Sequence, residues 1–254
     1  MNPNKDRLKL LLKFIVGIGL VAYVLRSKMV DFHTLQAVLF NPVNCLLSLL
    51  FLCAAALCCA SRWYLLVKVQ GLSLSFKDMF ELTMIGNFFN TFMPGSVGGD
   101  LIKAWYVAGQ EPKRKTKAVF TVLLDRVIGL SVIIFYAACT LLFYTEWLAG
   151  RKELQLIALS IWAFTGVSLG LGLIFFSSTL WNSKPVTAII ALLRRPARLT
   201  KIVDAGLLYR SYLPTIGMAI FLSGASILGT NLLYGIEGRT LGISMDMARY
   251  FFIV

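Results

Sequence analysis

The sequence predicts an all-α integral membrane protein, a polytopic helical bundle with one broken, re-entrant helical hairpin. Three observations predict it. Hydrophobic residues make up 58% of the 254 and charged residues only 15%, whereas a soluble domain carries about a quarter charged residues. Mean hydropathy is +0.76, and the apolar residues gather into runs near the roughly 20 that cross a bilayer. One such run is interrupted by Pro94-Gly95-Ser96-Val97-Gly98-Gly99-Asp100, through which a straight helix cannot continue.

Taken in order, the first apolar run covers residues 8–25 and follows Lys5, Arg7 and Lys9. It has the flank of a signal peptide without a small-x-small cleavage site before Arg26, so a retained signal-anchor helix is expected. Further full spans are expected at 43–61, 118–144, 154–176 and 212–236. The interrupted run, 80–108, lies between the second and third. A last apolar run at 246–254 is too short to span. We read the chain as a single transmembrane domain over 1–254, incomplete at its C-terminus, with a surface-docked tail as the alternative.

Charge sorting decides how the interrupted run sits. With a cytoplasmic amino terminus and both ends of 80–108 on the same side, the inside segments hold Lys5, Arg7, Lys9 and Lys13, then Arg62, Lys68 and Lys77. Next come Lys113, Arg114, Lys115 and Lys117, and finally Lys184, Arg194, Arg195, Arg198, Lys201 and Arg210. Outside fall only Arg26, Lys28, Arg151, Lys152 and Arg239. A single crossing at 80–108 would reverse every later loop, including the most basic one, against the positive-inside rule. The segment is therefore expected to be a hairpin of two half-helices, or two short crossings, opening to the cytoplasm. The expected location is the cell membrane, multi-pass.

Composition also excludes. A formal charge of +13 suggests nucleic acid, but the basic residues lie between apolar runs rather than along one patch, so no nucleic-acid partner is expected. Cys45, Cys53, Cys58, Cys59 and Cys139 all fall in apolar segments and read as packing residues. With His33 the only histidine, in a short polar connection, there is no metal spacing or Ser-His-Asp set, and we expect no metal and no cofactor. The Gly95–Gly99 region lacks the strand and the Gly-Lys-Ser/Thr ending of a nucleotide loop.

Chemistry concentrates around the break. Asn87 and Asn90 are three apart and share a helical face. Beyond the break, Ser96 or Asp100 is placed to cap the second half-helix, whose Gly98 and Gly99 leave N–H groups directed into the gap. Such an end suits an anion, a lipid phosphate above all. Lys103 follows Asp100 at helical spacing: one reading is a head-group site, the other a local ion pair with a cap. Asp125-Arg126 lies about two turns into the next span; Arg126 either snorkels to the interface or turns inward to Asp100 or a phosphate. Ser223, Gly224, Ser226, Thr230 and Asn231, together with Gly17, Gly19 and the glycines from Gly166 to Gly172, are ascribed to helix packing, with Asn231 also a candidate lining residue.

The run Asn87–Asp100, with its Asn-x-x-Asn-x-x-x-Pro-Gly-x-x-Gly-Gly-Asp pattern, followed by Asp125-Arg126-Val127-Ile128-Gly129-Leu130, resembles the flippase-like family that includes the transmembrane region of lysylphosphatidylglycerol synthases. Arg62-Trp63 fits the same resemblance. It covers most of the chain and implies a membrane protein related to domains that move aminoacylated phospholipids or polyprenyl-linked sugars between leaflets. The family's motif falls on Asn87, Asn90, Pro94, Gly95, Gly98, Gly99, Asp100, Asp125 and Arg126. The later helices of relatives, with a further Gly-rich segment and an acidic residue, have no counterpart here, and no polar stretch is long enough for a cytosolic aminoacyl-transferase domain.

The leading expectation is translocation of an anionic phospholipid, aminoacyl-phospholipid or polyprenyl-linked lipid, with membrane lipids as partners and no catalytic residues. Two alternatives stay open: a subunit presenting lipid to a separate aminoacyl- or glycosyl-transferase, and a non-catalytic scaffold.

Overall fold

The computed structural model describes residues 41–92, 97–143, 152–194 and 196–243. The expected first span at 8–25, His33, Pro94, Gly95, Ser96 and the final apolar run all lie outside the described residues. Those described form helices, with no strand among them: α1 (Pro42–Val69), α2 (Phe76–Phe92), α3 (Gly98–Gln110), α4 (Lys115–Phe143), α5 (Lys152–Phe176), α6 (Ser178–Trp181), α7 (Lys184–Leu193), α8 (Ala197–Leu208) and α9 (Leu213–Thr240), with a 3₁₀ turn at Tyr209–Ser211. Four helices, α1, α4, α5 and α9, are long and apolar enough to cross a membrane. They coincide with the second to fifth expected spans, and the protein is an all-α polytopic membrane protein.

Local chemistry sets the ends of α1. Asn41 caps it by accepting from the Asn44 N–H at 3.2 Å, and Pro42 occupies the first turn, where its missing N–H costs nothing. The helix runs eight residues past the expected end because Tyr64, Leu65, Leu66 and Val67 continue the apolar pattern. It stops at Gly71, whose φ of +67° is left-handed.

Helix α1 packs antiparallel against α9 over most of its length. Polar contacts mark the seam: Asn44 donates to Thr240 at 2.6 Å at one end, Cys59 and Ser226 meet at 3.3 Å in the middle, and Arg62 donates to Ser223 at 2.8 Å towards the other end. Helix α4 lies against both, and α5 packs on the outside of α4. The α5 glycines correct an expectation. Among the described residues a Cβ at Gly166, Gly170 or Gly172 would meet nothing within 4 Å, so these glycines pack against none of the described helices. The cause is that α5 buries little beyond Ala158 and Thr165 and otherwise faces outward with Leu156, Leu159, Leu169 and Leu173.

Helices α2 and α3 form the hairpin, leaning on α1 and α4 respectively. Trp63, Val67, Leu72, Leu74, Met79, Leu82, Val107, Ala118 and Val122 make one buried cluster at its base. The lead-in and the exit of the hairpin are clasped there. Arg114 donates to the Gly71 carbonyl at 2.6 Å, and the Ser73 N–H donates to Glu111 Oε1 at 2.9 Å, so the two ends of the hairpin lie side by side. Helix α2 is itself started by a reciprocal pair: the Asp78 N–H donates to Ser75 Oγ at 3.2 Å while the Ser75 N–H donates to Asp78 Oδ2 at 2.8 Å.

Candidate functional site

Where the hairpin meets α1, α4 and α9, a cavity of about 190 Å³ opens. Its wall includes Asn87 and Asn90 from α2, Asp100 and Lys103 from α3, Asp125 and Arg126 from α4, Cys59 and Arg62 from α1, and Ser223 and Ser226 from α9. Three cationic and two anionic side chains therefore face one small space inside an otherwise apolar bundle.

The hairpin can supply its share because its two helices touch backbone to backbone. A Cβ at Gly99 would collide with the Gly86 carbonyl, so glycine at 99 permits the approach, while Gly86 leaves room for the Lys103 stem. The same contact brings Asn90 to the start of α3, where its Oδ1 accepts the Gly99 N–H at 2.8 Å. This corrects the capping expected of Asp100. The residue before α3 is Val97, which makes no side-chain cap, and Asp100 stands in the first turn rather than ahead of it. A donor of the first turn is thus satisfied from α2, across the break, and Asp100 is left to face the cavity. Gly98 and Gly99 are buried at the helix contact and do not line the cavity. Ser96 lies outside the described residues.

Adjacent residues of α4 serve different partners. Asp125, 8% exposed, takes a two-pronged ion pair from Arg62, with Nε to Oδ1 at 2.6 Å and Nη2 to Oδ2 at 2.9 Å. The third nitrogen of Arg62 donates to Ser223, so the fork is used on both sides and joins α1, α4 and α9. Arg126 turns to α3 and stands 3.5 Å from Asp100, with its side chain 39% exposed. Lys103 is buried at 7% exposure; its ammonium lies 5.2 Å from the Trp63 ring centre, and its stem crosses Gly86, where a Cβ would stand 2.5 Å from Lys103 Cε. Trp63 is held in turn by its indole N–H, which donates to Thr121 at 3.2 Å.

Charge sorting counts Arg62 among the inside segments, at the end of the second expected span. It is a buried member of α1, two turns before its end and about 10 Å along the axis. Ser223, Ser226 and Cys59, read as packing residues, also line the cavity, whereas Asn231 does not. Asn231 is buried and donates to the Ile227 carbonyl one turn back at 2.9 Å. The signal that could have found Arg62 was its position: an arginine followed by Trp-Tyr-Leu-Leu-Val sits inside an apolar run, and a basic residue there needs a partner.

The family described as the lysylphosphatidylglycerol synthase TM region matches residues 10–254. Among curated proteins, UPF0104 membrane protein MJ1595 of Methanocaldococcus jannaschii is 26% identical over 162 residues, covering 63% of this chain and 46% of the relative. UPF0104 membrane protein PH1989 of Pyrococcus horikoshii is 26% identical over 189 residues, covering 73% of this chain and 54% of the relative. The chain thus spans about half the length of the curated relatives it matches. No solved structure matches it. On the match across nearly its whole length, the chain belongs to the lysylphosphatidylglycerol synthase transmembrane-region family.

Proposed function

We propose that this chain is a lipid-translocating module of the cell membrane, in which the cavity at the hairpin takes an anionic head group while the acyl chains stay in lipid. The observation that carries the reading is the cavity wall of Arg62, Lys103, Arg126, Asp100 and Asp125. Arg62 and Asp125 neutralise each other, and Asp100 is set against Arg126, which leaves Lys103 as the surplus positive charge. A cavity with one excess cation in a low-dielectric surround favours a monoanion such as a phosphodiester. Its volume admits a phosphate-sized group and excludes a pair of acyl chains. Asp100 supplies the opposite charge for an amine, should the head group carry one.

The clasped base of the hairpin supports a re-entrant arrangement with both ends on one face, and the basic residues flanking it favour the cytoplasm for that face under the positive-inside rule. The break then lies at membrane depth, where non-helical backbone is tolerated only beside protein or a wet cavity.

The test is leaflet-resolved translocation of fluorescent anionic and amine-bearing lipids in proteoliposomes. Wild type is compared with Lys103→Gln and Arg126→Gln at matched amounts of folded protein. Translocation lost in both variants supports the reading. Equal rates in all three, or no transport by any, sinks it and favours a subunit that presents lipid to a transferase.

A further inference from the structure

The stretch between α5 and α9 contains two helices of 10 and 12 residues, α7 and α8, each too short to cross a bilayer. Both nevertheless expose apolar side chains at helical spacing. Ile189 and Leu192, three apart on α7, are 57% and 58% exposed, and Leu199 and Ile202, three apart on α8, are 39% each. Residues 184–210 also carry six basic residues against the single acid Asp204. Of the charges on described side chains, Arg194 is paired with Asp204 at 2.7 Å, Arg210 stacks over the Trp181 ring at 4.4 Å, and Lys184 and Lys201 are exposed.

This stretch is not a loose loop. The Thr200 hydroxyl donates to the Arg194 carbonyl at 2.7 Å and closes the turn between α7 and α8. Gln70 donates to the Ala205 carbonyl at 2.7 Å, and the Tyr209 hydroxyl donates to the Leu66 carbonyl at 2.8 Å, tying α8 to the end of α1. Trp181 packs edge-on to Phe175 at the end of α5. The exposed apolar rows and the lysines are therefore held at the end of the bundle where two spans emerge.

We propose that α7 and α8 form a docking surface for an anionic lipid leaflet, the apolar rows entering the acyl boundary and Lys184 and Lys201 meeting the head groups. Charge complementarity selects this occupant: an amphipathic segment with excess positive charge is drawn to acidic lipid, and its apolar side chains have lipid beside them wherever α5 and α9 enter the bilayer. A basic loop serving only to sort topology needs no exposed Ile and Leu.

The experiment is hydrogen exchange of the Lys184–Leu193 amides in the full chain, in nanodiscs of phosphatidylcholine alone and of phosphatidylcholine with phosphatidylglycerol. Exchange is expected to slow in the acidic discs by about fivefold for each engaged lysine, and the difference to vanish at high salt. Lys184→Gln with Lys201→Gln should abolish the difference while leaving the spans protected, and Ile189→Ser with Leu192→Ser should speed exchange in both lipids. Equal exchange of wild type in the two discs overturns the proposal. So does a slowing that survives both high salt and the lysine substitutions, since charge attraction through Lys184 and Lys201 would then not cause it.

Discussion

Replacing Asp125 by Leu tests whether the Arg62–Asp125 pair holds the bundle together. Arg62 is 8% exposed and spends three nitrogens on two partners, at 2.6, 2.9 and 2.8 Å. Without the carboxylate, the guanidinium keeps only its Ser223 hydrogen bond and is left buried without its ion-pair partner. Breaking a buried pair in this way costs about 3–5 kcal/mol, whereas removing both charges with residues of similar volume is close to neutral or mildly stabilising. Wild type, Asp125→Leu, Arg62→Met and the double variant therefore form a cycle, read by reversible unfolding in mixed micelles. The double variant should recover at least about 2 kcal/mol relative to Asp125→Leu, well above the ~0.6 kcal/mol average for interhelical hydrogen bonds in membranes. A cost below about 1 kcal/mol for Asp125→Leu, or a double variant less stable than the single, would refute the reasoning.

Two other outcomes follow from the hairpin. Gly99→Ala drives a Cβ into the Gly86 backbone and to 2.8 Å from Asn90 Oδ1, so it should lower stability by about 1–3 kcal/mol; Gly109→Ala, which meets nothing within 4 Å, should be neutral or raise it by ~0.4–1 kcal/mol, both read in the same unfolding assay. The Ser75 hydroxyl and then its backbone N–H hold the Asp78 carboxyl below its ordinary range. A carboxylate with a lowered folded pKa contributes above its unfolded value and loses that contribution as pH falls through the folded one, so Ser75→Ala should flatten the acid limb of hairpin stability and move the Asp78 titration upward when followed by NMR.

The four described spans were legible because hydropathy over some twenty residues needs no knowledge of neighbours. The Asn87 and Asn90 spacing and the glycines around the break pointed to the site for the same local reason. What sequence could not supply was partnership. Asp125 and Arg126 are adjacent in the chain yet turn to different helices, since successive helical residues point about 100° apart, and Arg62 lies 63 positions from the carboxylate it needs. Asp100 does not precede α3 as a cap because the acceptor comes from the preceding helix, through a close approach that Gly99 permits. Helices α6 to α8 escaped because their apolar residues occupy one face of short elements, which a long window averages with the basic residues between them.

The clasp at the base of the hairpin bears on how the protein is made. Helices of 17 and 13 residues are each shorter than a typical independent span, and with Gly71 and Ser73 bound to Arg114 and Glu111 they form a closed loop. On the proposed re-entrant reading, Asp100 meets Arg126 only once α4 has been made, so the hairpin is expected to settle as a unit after α4.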